Sequence, residues 1–265
     1  LKPKVSVITI SYNSSQLIEN TIKSVTSQTY RNVEYIVVDG LSDDGTRDIL
    51  KANRSKIHTL ICEKDTGISD AFNKGIRAST GDLIIFMNCG DVFASDEIIE
   101  EIAHSYARLK WRWAIGRHRI VSNEGVVIHT SQEIAVFSRR DYMVLNKFCH
   151  QAMAMERTVF EDFGLFNESY RIAMDFELIL RISTKISPYM LDLMICDYLD
   201  GGLSAQSRKK TREEEVKAKR EVAGYNSFDI ALDEIELVIM HKLLPRVMRV
   251  AHNALKASYP TNRSS

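Results

Sequence analysis

Three short polar clusters carry residue types suited to chemistry on a phosphorylated ligand. They are Ser11-Tyr12-Asn13-Ser14-Ser15, Asp39-Gly40-Leu41-Ser42-Asp43-Asp44-Gly45-Thr46 and Asn88-Cys89-Gly90-Asp91. Each follows a short apolar run, at residues 5–10, 33–38 and 83–87. Asp, Asn, Gly and Ser are turn residues, so any one cluster reads equally as an ordinary turn. Three of them at three strand ends bring several carboxylates to one edge, a setting that suits a divalent cation holding a phosphate ligand. Two more carboxylates, Asp175 and Glu177, open a helical run at residues 174–183. The helix dipole favours the ionised form in that first turn. On an ideal helix Glu177 points roughly 200° away from Asp175, so only one of them faces a given site. His150 precedes a strand-like run and is a further polar candidate.

The elements that must position these groups alternate over the first hundred residues. Helical spacing is expected at 16–28, 45–53, 68–78 and 96–104, the last with Ser95 as its N-cap, and a third strand at 56–62. Strands separated by helices mean βαβ units and a parallel sheet. Open α/β sheets bind ligands beyond the carboxyl ends of their strands, where the three clusters fall. Residues 113–121 and 125–131 read instead as antiparallel strands, 133–150 as irregular, 158–163 as a helix and 190–198 as a last strand. Residues 208–221 hold 11 charged residues in 14, a solvated helix or a linker. In the apolar-basic stretch after it, Met240, Leu244, Val247, Met248, Ala251 and Leu255 share one helical face. That pattern fits a basic helix lying in a membrane interface, or one packed on the body or on another subunit.

The 265 residues are 45% hydrophobic and 26% charged, which excludes disordered and collagen-like chains. Lys+Arg and Asp+Glu are equal at 35, so a nucleic-acid coat is not expected. The balance hides an asymmetry: residues 206–265 hold 12 Lys and Arg against 8 Asp and Glu, a basic tail on an acidic body. The four cysteines show no CxxC pair and no zinc spacing, and read as thiols of a reducing compartment. With no apolar stretch of spanning length and no leader pattern, a cytoplasmic setting is expected. Neither GxGxxG nor GxxxxGK[ST] occurs, which weighs against dinucleotide and P-loop enzymes.

Taken in order, the motifs resemble those of family 2 glycosyltransferases with the GT-A fold. Val5-Ser6-Val7-Ile8-Thr9-Ile10-Ser11-Tyr12-Asn13 and Glu34-Tyr35-Ile36-Val37-Val38-Asp39-Gly40 are similar to the family's opening. Glu63-Lys64-Asp65-Thr66-Gly67-Ile68-Ser69-Asp70-Ala71-Phe72-Asn73-Lys74 resembles its third signature, and Asn88-Cys89-Gly90-Asp91 stands at its DxD-type motif. His150-Gln151, residues 164–170 and Ala173-Met174-Asp175-Phe176-Glu177-Leu178 resemble the acceptor block, and Gly201-Gly202-Leu203-Ser204 the closing motif.

The resemblance implies an α/β GT-A fold: a mostly parallel Rossmann-like sheet flanked by helices, with a small antiparallel acceptor-side portion. Residues 1–105 would bind the nucleotide sugar, 106–205 the acceptor, and 206–265 would form a helical appendage. It implies an inverting, metal-dependent hexosyltransferase using a nucleoside diphosphate sugar, a UDP-sugar first. The acceptor would be a saccharide or an undecaprenyl-diphosphate-linked sugar, in polysaccharide synthesis in the cytoplasm or at the inner face of the cytoplasmic membrane. Ser11, Asn13 and Ser42 would join the nucleotide-sugar site, Asp39 would meet the base edge and Tyr12 would stack on the base. Asp65 and Lys74 would lie near ribose and diphosphate, Asp70 near the donor sugar and Asn88 at a ribose hydroxyl. Asp91 would hold Mn²⁺ or Mg²⁺, Asp175 would be the general base, and His150 and Glu177 would lie near the acceptor or diphosphate. The sequence departs from the family where many members carry Asp-Ser-Asp-Asp, since two of those carboxylates are missing. That thinning keeps a non-catalytic sugar-nucleotide-binding protein open as an alternative. A sugar nucleotidyltransferase is the other, though it would normally carry a Gly- and cation-rich first loop.

Overall fold

The computed structural model describes residues 2–132, 136–145, 148–202 and 206–239. The expected Leu203-Ser204 motif and the amphipathic run from Met240 to Leu255 lie outside them. Val5–Ser11 (β1), Val33–Asp39 (β2), Thr59–Cys62 (β3) and Leu83–Phe86 (β4) are parallel neighbours in the order β3-β2-β1-β4. β1 is buried almost throughout, as an apolar run in a parallel sheet covered on both faces should be. Ile18–Thr26 (α1), Thr46–Ala52 (α2) and Ile68–Ala78 (α3) connect these strands. Chain order reverses on either side of β1, which opens a crevice beyond the ends of β1 and β4. In α3, Gly75 presses on the sheet: a β-carbon there would meet Ile8 Cγ2 at 2.5 Å.

Beyond β4 the sheet becomes mixed, with antiparallel pairs and one further parallel pair. Met153–Glu156 (β8) runs antiparallel to β4 and to Trp113–Val121 (β6). Tyr189–Leu199 (β9) runs parallel to β6, and Val92–Phe93 (β5) antiparallel to β9. Val127–Thr130 (β7) closes the expected antiparallel hairpin with β6.

Two expectations are corrected. The fourth helix, α4, spans Ile98–Leu109 rather than 96–104. Ser95 accepts the Glu97 N–H instead of capping it, and Asp96 is drawn to Ser27 Oγ at 2.6 Å. The stretch expected to be irregular contains a helix, Arg139–Leu145 (α5), and a 3-10 turn at His150–Ala152. α5 is held from outside its own sequence: the buried Tyr142 ring stacks on Phe148 and packs 5.1 Å from Phe176.

Arg157–Phe163 (α6) and Met174–Ser183 (α7) follow, the latter at its expected bounds. The charge-rich run is a helix, Arg208–Ala223 (α8), lying on α7. Ser227–Val238 (α9) packs on α5 and starts in a capping box between Asn226 and Asp229.

Candidate active site

β1 and β2 are in register from Val5 opposite Val33 to Ser11 opposite Asp39, so the first two polar clusters leave the sheet side by side. Ser11 Oγ donates to Asp39 Oδ2 at 2.8 Å, and Ser42 donates to the same carboxylate from both N–H and Oγ. Asn13 N–H donates to Ser42 Oγ, and Asp43 N–H returns to Asn13 Oδ1. Ser11, Asn13, Asp39 and Ser42 thus form one closed network around a fully buried carboxylate. Above it sits Gly40, where a β-carbon would lie 2.4 Å from Asp65 Oδ2 and 3.2 Å from the Tyr12 ring. The missing side chain lets Tyr12 and Asp65 close over the strand ends. Tyr12 is 66% exposed, an aromatic face presented to solvent beside two carboxylates.

Ser11, Tyr12 and Asp65 border a cavity of about 820 Å³ that runs from the β1 end to the start of α7. Ser11, Tyr12, Asp65, Asn88, Asp91, His150 and Asp175 all line it. Asp91 accepts from Gln151 Nε2 at 2.6 Å and from Leu199 N–H at 2.9 Å. Burial pushes its carboxyl up to about 6, against those two donors.

His150 bridges the two sides. Its Nδ1 lies 3.3 Å from Asp175 Oδ2, and its Nε2 lies 3.3 Å from Asn88 Nδ2. One neutral tautomer satisfies both, with Nδ1–H donating to Asp175 and Nε2 accepting from the Asn88 amide. The ring is fixed by edge-on contacts with Phe72 and Phe86. With its nitrogen thus committed, Asn88 leaves Oδ1 buried and without a partner among the described residues. A buried acceptor without a donor costs free energy, which makes this oxygen a candidate contact for a ligand, an ion or a water. Asp175 sits in the first turn of α7, and its Oδ1 accepts the Phe176 N–H.

Other expected residues lie outside the cavity wall. Asn13, Asp39 and Ser42 stand behind it, in the network under Tyr12. Lys74 is held by Glu63, Asp70 and the Lys64 carbonyl, and Asp70 also accepts the Thr66 N–H. The Lys74–Asp70 pair therefore shapes the loop that carries Asp65. Glu177 is buried in a two-pronged pair with Arg181, both contacts at 2.8 Å, because the helix turns it away from Asp175. The expected place for Glu177 near the acceptor is corrected accordingly.

Several lining groups were not singled out in the sequence. Gln151, which holds Asp91, was visible only as the second half of a His-Gln pair. Asp200 follows the last strand directly before Gly201-Gly202. His118 on β6 also lines the cavity; burial, and then His129, lower its pKa.

Among the described residues no three His, Cys, Asp or Glu side chains form a metal cluster. The oxygens that could serve a hard cation are the Asp91 carboxylate, buried and already accepting from Gln151 and Leu199, and the buried Asn88 Oδ1, so most of its ligands would come from a diphosphate and water. Mg²⁺ and similar ions use one or two protein ligands, substrate phosphates and waters in this way.

The family model for glycosyl transferase family 2 matches residues 6–164. An uncharacterized glycosyltransferase of Mycobacterium tuberculosis is 29% identical over 208 residues, covering 77% of this chain and 78% of its own. A Bacillus subtilis glycosyltransferase, TuaG, named for teichuronic acid biosynthesis, is 38% identical over 104 residues, 38% of this chain and 41% of its own. The fold is shared with Staphylococcus aureus TarS 1-349, solved in complex with UDP-GlcNAc. The TM-score is 0.69 at 16% identity, over 90% of this chain and 72% of that one.

Proposed function

The chain belongs to glycosyl transferase family 2, and we propose that it moves a sugar from a nucleoside diphosphate sugar to a saccharide hydroxyl with inversion. The observation that carries this reading is the single cavity joining Tyr12 and Asp65 at one end to Asp175 at the other. A UDP-sugar is the first donor to test, since TarS, of like fold, was solved with one. The base would stack on Tyr12 beside Asp65, over the network that buries Asp39. The Asp39 carboxylate supports this floor through Ser11 and Ser42 from behind the cavity wall rather than meeting the base edge itself. Lys74 and Asp70 contribute by fixing the Asp65 loop.

In the transfer itself, an Asp175 oxygen takes the proton of the acceptor hydroxyl. The freed oxygen lone pair forms the new bond to the anomeric carbon as the bond to the diphosphate oxygen breaks. His150 holds Asp175 from Nδ1 and Asn88 from Nε2, so base and donor site are fixed by one ring. A divalent ion, Mn²⁺ or Mg²⁺, held by Asp91 and Asn88 Oδ1 would neutralise charge on the departing diphosphate. The cavity wall from His118 to Asp200 would receive the acceptor sugar. TuaG, named for teichuronic acid biosynthesis, supports a place in surface polysaccharide synthesis; a lipid-linked acceptor at the cytoplasmic face of the membrane is the setting proposed for it.

The test is release of UDP or GDP from a panel of sugar nucleotides, with and without Mn²⁺ and simple saccharide acceptors. Turnover with one donor, abolished in Asp175→Asn, is expected. No turnover with any donor would overturn the transferase reading in favour of a binding protein.

A further inference from the structure

α9 carries an exposed apolar stripe on one side and paired carboxylates on the other faces. Its carboxylates face the protein: Asp233, fully buried, pairs with Lys219 at 2.7 Å and with Arg140, and Glu236 pairs with Arg140 at 2.7 Å. Ile230 and Leu237 are half-buried on its inner side, but an apolar stripe faces outward. Phe228, Leu232, Ile235 and Val238, with Ile239 just beyond, are 42–69% exposed. Their spacing of four, three, three and one puts them on one stripe of the helix. The polar face of this helix is saturated by partners, so the outward stripe is not an accident of a misplaced surface helix.

We propose that this stripe docks on an anionic lipid surface. The chain leaving the stripe argues for it. Residues 240–265 carry five Lys and Arg (Lys242, Arg246, Arg249, Lys256 and Arg263) and no Asp or Glu. At the start of α8, Arg208, Lys209 and Lys210 are exposed as well. An apolar stripe continued by uncompensated cations matches the two-part requirement of an interfacial anchor, buried apolar area plus attraction to anionic headgroups. A second copy is the weaker occupant. It would leave the exposed cations at the start of α8 without an anionic partner, whereas anionic headgroups supply one. The inference rests on the transferase reading only for its purpose, which is to hold the cavity near a lipid-linked acceptor.

The experiment is co-sedimentation of the full chain with phosphatidylcholine vesicles and with phosphatidylcholine–phosphatidylglycerol vesicles. Binding to the anionic vesicles is expected, weakening with added salt and small on the neutral ones. Leu232→Ser with Ile235→Ser should lower partitioning about tenfold or more, with the melting temperature and nucleotide release unchanged. Ile235→Glu alone should act in the same direction. Equal vesicle binding by parent and double variant would overturn the proposal. So would absence of binding to anionic vesicles, or a dimer in light scattering that the double variant dissociates. Loss of this inference leaves nucleotide release intact, whereas failure of the transferase reading leaves vesicle binding intact.

Discussion

Asp175→Asn preserves size and the contact with His150 but removes the proton acceptor. Turnover should fall about 10²–10⁴-fold, while a thermal shift with the donor stays as in the parent. An unchanged rate would remove Asp175 from the mechanism. His150→Ala tests the ring that joins base and donor site. It should lower kcat about tenfold to a hundredfold with little change in donor KM, and His150→Gln, which keeps one N–H donor, should recover part of the loss. A purely structural histidine would instead change melting temperature without that kcat–KM split. At this scale Ser11, Tyr12, Asp65, Asn88, Asp91, His150 and Asp175 were legible as candidates because each sits in or beside a motif at an element's end, and the structure brings them to one cavity. It did not show that Lys74 is enclosed by Glu63, Asp70 and Lys64, because those contacts depend on how the loop closes. The role of Gln151 was hidden as well, since its partner Asp91 is 60 residues away.

Elements were legible where one helix face or strand carried the whole signal. α3 and α7 lie at their expected bounds because their apolar spacing ends where the helices end. α5 was not legible, since its stability comes from aromatic partners such as Phe148 and Phe176 rather than from its own pattern. Two predictions belong to elements. Gly75→Ala should cost about 1–3 kcal/mol in urea unfolding, because the added methyl must displace Ile8 beneath α3. Glu34, near the amino ends of β1 and β2, is desolvated by burial. Donors on Ser6, Thr80 and Lys4 outweigh that and hold its carboxyl at about 2. A folded pKa below the unfolded value near 4.5 stabilises the protein fully above that pH. This contribution, of order 3 kcal/mol, fades as pH falls from there toward 2. Stability measured across that window should lose less in Glu34→Gln than in the parent, and parallel curves would refute the assignment.

The whole molecule differs most from its sequence in the tail. Eleven charges in fourteen residues read as a solvated face or a linker, yet Lys219 from that run is completely buried against Asp233. Composition cannot reveal this, because the partner that makes burial tolerable comes from the next helix. α8 is tied to the catalytic part as well as packed on it. Glu221 accepts from Tyr170 Oη at 2.7 Å, and Lys217 donates to Ser169 at 2.9 Å. Glu214 accepts the N–H groups of Arg171, Ile172 and Ala173, all between 2.8 and 2.9 Å. Those three residues are the approach to Asp175, and Ile172 and Ala173 line the cavity. One carboxylate of the tail therefore fixes the loop that leads into Asp175, the proposed base. Glu214→Ala leaves three backbone donors without it, a cost of about 1–3 kcal/mol or less where water replaces the carboxylate. The expected signature is a kcat loss of about tenfold or more at unchanged donor KM, since a small displacement of a catalytic group is expensive. Lys219→Met is the control: it should lower the melting temperature by weakening the α8–α9 pair while leaving the kcat of the folded fraction intact. If Glu214→Ala behaves like Lys219→Met, the tail is a stabilising clamp and has no part in positioning Asp175.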